Sequence, residues 1–516
     1  MIFVDLFVYI ELEAYMKHVT DCIGEEYKTW ENEIIAIEAG TGRGKTYFII
    51  NVLLPYAKSH GKRMLYLCNR KELQRQIEET IPQDCKPFSK VITYQLLESA
   101  LQGKGTYEHY DYVVADEAHY LFDDSYNQQT DISGKYLVNI VPHNSTLILM
   151  SATGDLLFSA LHRFKKIKPN RHYKIQGYYD FVEHVYLYEK KYAEDLIDKI
   201  LNQSEAKVLF FCDSLHRLGE MYKIYRDKAY YRCSNKSQKS SIIPLNVLKE
   251  GDRCIIDSEN GCKTFDRRIL FTTTVIDNGV DIKDLNLRYV FSEVFDFNTL
   301  IQSLGRKRCL GSNDRCTYYI ANHVNAEISR KYREANEQLE MIELYENDYP
   351  NFKRLVDKDR SFFKNYPVFY IGADTKKPGE LTPININSMQ RYKIQSIKDD
   401  CKEMLAKGGY SQKLQALIKE VMQKDLEEID CHKQMQKYFS EFLQKNTNVE
   451  MYRDSAQYKK LKHGFEKMKC KKTSSLRSIN EYLFEQKMPY KIESHVCRER
   501  GEHRDKTYWL IKHSEP

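Results

Sequence analysis

Lys45 and Thr46 close the stretch Ala39-Gly40-Thr41-Gly42-Arg43-Gly44-Lys45-Thr46, in which glycine recurs at every second position before the lysine. That spacing suits the holding of phosphate. Glycines let the backbone curl so that its N–H groups point inward at anionic oxygens, and the start of a helix adds partial positive charge. Lys45 is then positioned for the β- and γ-phosphates of a nucleotide and the Thr46 hydroxyl for Mg²⁺. Ala39 stands where the strict pattern has glycine, but Gly44-Lys45-Thr46 carries the chemistry. A second set of reactive groups is the adjacent pair Asp116-Glu117, directly after Val113-Val114-Ala115. Two neighbouring carboxylates at a strand end suit nucleotide hydrolysis: the first holds Mg²⁺ through water, and the second orients and deprotonates the attacking water. An isolated Asp-Glu would mean little; one downstream of a phosphate loop means much more.

The elements around these groups have the order such a site requires. Ile34–Ile37 is an apolar run suited to a buried parallel strand, and Tyr47–Leu54 can open a helix. Strands are expected at Arg63–Cys68, Lys90–Tyr94, Tyr110–Ala115 and Thr146–Met150, with helical stretches between them. The pattern repeats at Lys207–Cys212, Arg268–Phe271, Asn286–Phe291 and Cys316–Ile320, without a second phosphate loop. Alternation of this kind predicts an α/β fold of two parallel sheets covered on both faces, with polar residues gathered where strands end. From about residue 325 the character turns helical, in Glu327–Tyr345 and Gln390–Leu443, with Pro350, Pro367, Pro378 and Pro383 between them. The tail reads as a helix over Leu476–Phe484 and two strands, Tyr490–Arg498 and Thr507–Lys512, around Gly501. A helix and basic hairpin suit either a winged module or a docking flap. Five regions follow: a lead-in over 1–30, sheet domains over 31–175 and 176–325, a helical accessory domain over 326–474, and a basic helix-hairpin tail over 475–516.

Composition narrows the classes. The formal charge of +6 is unevenly placed: residues 451–516 hold 16 Lys and Arg against 9 Asp and Glu, a net of +7, which leaves −1 for the rest. A polyanion contact is therefore most easily imagined at the tail. Tyr508 and Trp509 beside Lys506 and Lys512 could stack bases, although alternating aromatics in a hairpin more often pack onto a core. Thirteen cysteines form no Cys-x-x-Cys pair and no zinc spacing, as expected of reduced thiols in a cytoplasmic protein. The N-terminal apolar residues are broken by Asp5, and no segment approaches the ~20 apolar residues that span a bilayer, so neither signal peptide nor membrane partner is expected.

Taken together, Ala39–Thr46, Asp116-Glu117-Ala118-His119, Ser151-Ala152-Thr153, Ile269–Ile282 and Gln302–Arg308 resemble motifs I, II, III, V and VI of the superfamily 2 helicases, in the DEAH spelling. The resemblance spans roughly residues 30–325 in the family's order. It implies two tandem RecA-like domains, followed here by a mostly helical region and a small α+β tail, with ATP and Mg²⁺ as ligands. Lys45, Asp116, Glu117, Gln302 and Arg306 would be catalytic, Arg306 as an arginine finger. Ala39, Gly40, Thr41, Gly42, Arg43, Gly44, Lys45, Thr46, Gly279, Asp281 and Arg308 would hold the nucleotide, and Thr46 and Asp116 the Mg²⁺. His119, Ser151 and Thr153 would couple hydrolysis to movement, while Arg70, Thr93 and Thr273 would touch the nucleic-acid backbone, with weak Cys212-Asp213-Ser214 doing likewise. The family has a further Arg where Cys309 stands, one place after Arg308. The implied activity is an ATP-dependent helicase on DNA or RNA, DNA slightly favoured, with a protein partner possible through the C-terminal region. The alternatives are a duplex translocase that does not unwind and a nucleic-acid-binding scaffold without turnover.

Overall fold

The computed structural model describes residues 18–514 apart from 41, 103–107, 124–129, 153, 155–156, 159–160, 163–167, 235–241, 258–262, 274–279, 372–383, 407, 430, 469, 471–472, 474, 500 and 502. Most of the lead-in and the residues Thr41, Thr153 and Gly279 thus lie outside the described set. Two compact units are formed, one by the described residues of Met1–Val185 with Glu205–Leu426, the other by Tyr186–Ser204 with Glu427–Pro516.

The first unit holds two parallel sheets. Lobe 1 is built from β1 (Ile34–Ala39), β2 (Met64–Cys68), β3 (Ser89–Thr93), β4 (Tyr112–Ala115), β5 (Thr146–Ser151) and β6 (Arg171–Ile175). Their order is β3-β2-β4-β5-β1-β6, every pairing parallel. The four central strands are buried along their whole length, which is what continuous apolar runs dictate in a sheet covered on both faces. At the edge, β6 half-buries Arg171, exposes His172 and Lys174 and buries Tyr173 and Ile175. Because all strands run the same way, the turns bearing Lys45, Arg70, Thr93, Asp116 and Ser151 meet at one edge of the sheet. Helix α1 (Lys45–Phe48) starts at the lysine itself and continues through a wider π-type turn at Ile49–Leu53. Below the sheet, α2 (Lys71–Thr80) and α3 (Tyr94–Gln102) follow β2 and β3.

Lobe 2 contains β7 (Lys207–Phe211), β8 (Ala229–Arg232), β9 (Ile269–Thr272), β10 (Leu287–Ser292) and β11 (Cys316–Asn322). These five pair in parallel in the order β11-β10-β7-β9-β8. The helix α4 (Phe297–Leu304), capped by Asp296, delivers Gln302 and Arg306 at its carboxyl end. The expected pair of tandem parallel sheets is thus the architecture observed.

Helices α5 (Asn325–Asn347), α6 (Ser388–Ala406) and α7 (Gly409–Met422), with the short hairpin β12 (Phe369–Ile371) and β13 (Ile384–Ile386), complete the first unit. They grip both lobes. On lobe 1, buried Asp131 accepts from the Ser388 N–H at 2.9 Å and the Tyr370 hydroxyl at 3.0 Å, and Met389 enters the apolar core under the sheet. On lobe 2, the ring of Tyr410 lies 5.0 Å from Phe297 and 4.6 Å from His323. The helical stretch expected over Gln390–Leu443 is divided among three helices, because left-handed Gly408 (φ 69°) breaks it first and Gln423 (φ 56°) ends the second.

In the second unit, α8 (Cys431–Lys445), β14 (Met451–Tyr452), α9 (Ala456–Lys467), α10 (Leu476–Glu485), β15 (Tyr490–Val496) and β16 (Thr507–His513) follow in that order. The strands form an antiparallel sheet, β14-β16-β15. Its core includes Leu443, Leu461, Phe465, Ile479, Leu483, Ile492 and Ile511. Trp509 belongs to that core, 7% exposed with its ring 4.7 Å from Tyr458, so it is taken up by packing and not offered to bases. No helix among the described residues is long and apolar enough to cross a membrane.

Candidate active site

The phosphate loop owes its shape to its glycines. Gly42 and Gly44 have φ near +80°, a left-handed conformation that any Cβ would penalise. Gly40 answers a different need: a Cβ there would come within 2.5 Å of Gly177 Cα. The segment after β6 crosses the loop at that point, with the Gly40 N–H donating to the Ile175 carbonyl (3.1 Å) and Arg43 Nε to the Gln176 carbonyl (2.7 Å). Lys45 is buried, its Nζ donating to the Ala39 carbonyl at 2.7 Å. Burial lowers its pKa, opposed by the carboxylates of Glu117 and Asp116, while Arg308 and Arg306 add to the lowering. The charges of both lobes therefore converge on this ammonium.

At the end of β4 the chain turns through a left-handed residue, Glu117 (φ 49°). A non-glycine residue there costs about 1 kcal/mol; in exchange two successive side chains leave the strand alternation and serve the same edge. Asp116 is buried; its Oδ1 accepts from the Glu117 N–H (2.9 Å) and its Oδ2 from the Tyr66 hydroxyl (2.7 Å). Tyr66 also engages Thr46, and the Tyr94 hydroxyl donates to the Asp116 carbonyl at 2.9 Å. Burial, and next the charge of Glu117, push the Asp116 carboxyl up to about 6. Glu117 goes the other way: burial opposes its charge, but His119, Lys45, Arg306 and Arg308 hold its carboxyl below the ordinary value. Two adjacent carboxylates are thus set apart, as acid–base work requires. His119 Nδ1 lies 3.0 Å from Ser151 Oγ and 3.3 Å from Glu117 Oε2, which links β4 to β5 through one imidazole.

From lobe 2, Gln302, Gly305 and Arg306 line the same cavity as Glu38, Gly40, Glu117 and His119 of lobe 1. Arg306 Nη1 is 3.5 Å and Arg308 Nη2 2.8 Å from Asp281 Oδ1, so both guanidiniums are oriented by one carboxylate. Cys309 turns aside, its thiol against the Gly311 carbonyl. A second cavity, across the loop, is lined by Arg43, Tyr179, Asp281 and Arg308 among others. The motif residue between the two arginines is a strut: Lys307 is wholly buried and donates to the Asp284 and Arg308 carbonyls and to the Asp314 carboxylate.

The residues expected to meet nucleic acid lie apart from this cavity. Arg70 stands at the start of α2, and Thr273 follows β9 with its N–H donated to the Arg232 carbonyl. Thr93 is 6% exposed, and its hydroxyl accepts from the Leu96 N–H at the head of α3. Sequence reasoning missed Tyr66 and Lys307. The one available signal for Tyr66 was a phenol in the middle of the buried run Met64–Cys68, where its hydroxyl must find a partner.

A divalent cation suits this donor set. The Asp116 carboxylate and Thr46 hydroxyl are hard oxygen ligands, and the buried Glu117 Oε2 makes no hydrogen bond beyond its 3.3 Å approach to His119 Nδ1. Among the described residues no group of three His, Cys, Asp or Glu side chains is arranged to hold a metal unaided, so water and substrate oxygens would complete the shell, as is usual for Mg²⁺.

Residues 9–90, which include the phosphate loop, match the family model described as "Type III restriction enzyme, res subunit". Among solved structures, similarity extends to a yeast protein described as "S. cerevisiae Dbp5 bound to RNA and ADP BeF3", with 17% identity over 58% of this chain and 82% of that one and a TM-score of 0.40. A point variant of that protein in the same complex gives the same identity and score over 81% of its length. No curated protein sequence matches the chain significantly.

Proposed function

We propose that the protein is an ATP-dependent nucleic-acid motor of the superfamily 2 helicase kind, hydrolysing ATP between its two sheet lobes to move on and unwind DNA or RNA. The observation that carries this reading is the meeting of Glu117 with Gln302 and Arg306 around one cavity beside Lys45. The loop N–H groups and Lys45 bind the β- and γ-phosphates, and Thr46 and Asp116 would hold Mg²⁺, which supplies charge neutralisation at the phosphates. Glu117, held ionised by its basic neighbours, orients the water and takes its proton. Arg306 stabilises charge on the transferred phosphoryl group from the opposite lobe, with Arg308 and Asp281 fixing its approach. Hydrolysis removes the bridging phosphate that holds the lobes together, and His119 and Ser151 transmit the change to β5.

A strand lying across Arg70 on one lobe and Thr273 on the other would be gripped through phosphates, without sequence preference. The test is ATP hydrolysis by the full chain with and without single-stranded DNA or RNA, alongside Glu117→Gln. Nucleic acid is expected to stimulate the parent, and the variant to lose at least about 100-fold in turnover, the usual worth of a positioned base. A variant with parental turnover would overturn the proposal. Strand separation on a forked duplex, beside displacement of a third strand from duplex, then distinguishes unwinding from translocation alone.

A further inference from the structure

The second unit carries a feature the ATPase reading leaves unused. Its order of helix, short strand, helix, helix and hairpin, with β14 and β15 flanking β16, is that of a winged helix-turn-helix, α9 and α10 forming the helix pair and β15–β16 the wing. The sheet is continuous, with Met451 opposite Trp509 and Ser494 opposite the same residue on the other side. Helix α10 is held rigidly on it: the Asn480 amide donates to the Ile492 carbonyl (2.9 Å) and accepts from its N–H (2.8 Å).

What α10 turns outward is unusual. Ile479 and Leu483 face the core, leaving Arg477, Glu481 and Phe484 as one stripe at i, i+4 and i+7. Phe484 is 84% exposed, the highest value for a large apolar side chain among the described residues. The sequence leading into this stripe is asymmetrically charged: residues 453–477 contain nine Lys and Arg but only two Asp and Glu. Helix α9 buries Tyr458, Leu461 and Phe465 and leaves Lys459 and Lys460 exposed, with no ion pair among the described residues.

We propose that this face docks on double-stranded DNA, with α10 in the major groove and the exposed lysines of α9 on the phosphates. The charge is complementary to a polyanion, and a rigid helix with a mixed stripe fits the B-form major groove, which is wide enough for an α-helix. The deep, narrow major groove of A-form RNA is not. Arg477 Nε donates to Glu481 Oε1 (2.8 Å), so the pair presents its remaining guanidinium N–H groups and carboxylate oxygen to base edges, and Phe484 an apolar surface for a thymine methyl. This face belongs to the second unit and the ATP cleft to the first, so a nucleotide-independent duplex grip follows whichever strand the lobes track.

The test uses the full chain without nucleotide, binding a blunt DNA duplex of about 20 base pairs, duplex RNA of the same length, or single-stranded DNA, over a range of salt. The triple variant Lys459→Ala, Lys460→Ala, Arg477→Ala is expected to flatten the slope of log K against log salt on duplex DNA by about 1.8, at about 0.9 for each of the two phosphates the lysines no longer neutralise. Phe484→Ala is expected to weaken duplex DNA binding severalfold with the slope unchanged. Neither should alter basal ATPase measured without nucleic acid, a readout of the cleft alone. Unchanged duplex DNA binding in both variants, or equal losses on duplex RNA or single-stranded DNA, would overturn the proposal. If the triple variant fails to fold, the Phe484→Ala outcome decides it.

Discussion

Lys307 offers the sharpest quantitative test of how lobe 2 presents its arginines. Both its side chain and that of Asp314 are fully buried, and its three ammonium protons go to the Asp284 carbonyl (3.0 Å), the Arg308 carbonyl (3.1 Å) and Asp314. Lys307→Met keeps most of the stem volume and removes the charge. Asp314 is then a buried carboxylate with the Leu310 N–H (3.0 Å) as its remaining donor, and two carbonyls lose a partner. Removing one member of a buried ion pair costs about 3–5 kcal/mol. At roughly 2–4 °C per kcal/mol for a domain of this size, the lobe 2 transition should fall by about 10 °C. The two tryptophans of the chain, Trp30 and Trp509, both lie outside lobe 2, so the assay is urea or thermal unfolding followed by far-UV circular dichroism. ATP turnover should fall as well, because the residues either side of Lys307 are the two cleft arginines. Adding Asp314→Leu to Lys307→Met should restore most of the lost stability, since an apolar pair replaces an ion pair at little net cost. A single variant within about 1 kcal/mol of the parent, or a double variant no better than the single, would refute the strut, because a surface pair would behave that way.

Two further outcomes follow from named hydrogen bonds. Tyr66→Phe removes the donor to Asp116 Oδ2; a hydrogen bond to a charged group is worth about 1.5–3 kcal/mol, so turnover should fall roughly 10- to 100-fold and the Mg²⁺ needed for half-maximal rate should rise, as a metal titration of the ATPase would show. Asp284 is held below the ordinary carboxylate range, burial opposing but Lys207, Thr264 and the Asn286 N–H (2.8 Å) prevailing. Its folded pKa lies below its unfolded one, so it contributes stability above about pH 4 that is lost as pH falls through the folded value; urea midpoints taken from pH 5 down to 2.5 should decline less steeply for Asp284→Asn than for the parent.

Much of the fold is legible in the sequence because buried parallel strands must be apolar throughout. Ile34–Ile37, Val113–Ala115 and Thr146–Met150 have no other reading once the phosphate loop and Asp116-Glu117 are placed at their ends. The edge strand Arg171–Ile175 escaped because its charged residues alternate with apolar ones, a pattern that resembles a linker when read for apolar runs. The breaks at Gly408 and Gln423 divide a stretch whose Lys- and Leu-rich spacing is helical on either side, so its composition shows the helices better than their ends. Pairings between distant segments were beyond reach: no spacing rule relates Tyr66 to Asp116, Lys307 to Asp314 or Gly40 to Gly177, because the fold alone brings them together. Trp509 went to the core for the same reason, its neighbour Tyr458 lying about fifty residues away on α9.

The account stands on a single nucleotide being served from two lobes at once, and Arg306→Ala isolates that claim. Lobe 1 alone carries the phosphate loop, so ATP affinity measured by equilibrium titration should stay within a few-fold of the parent. Single-turnover hydrolysis should fall by about 10³-fold or more, the loss expected when an arginine finger is withdrawn. A variant that binds ATP normally and hydrolyses it at the parental rate would contradict the account.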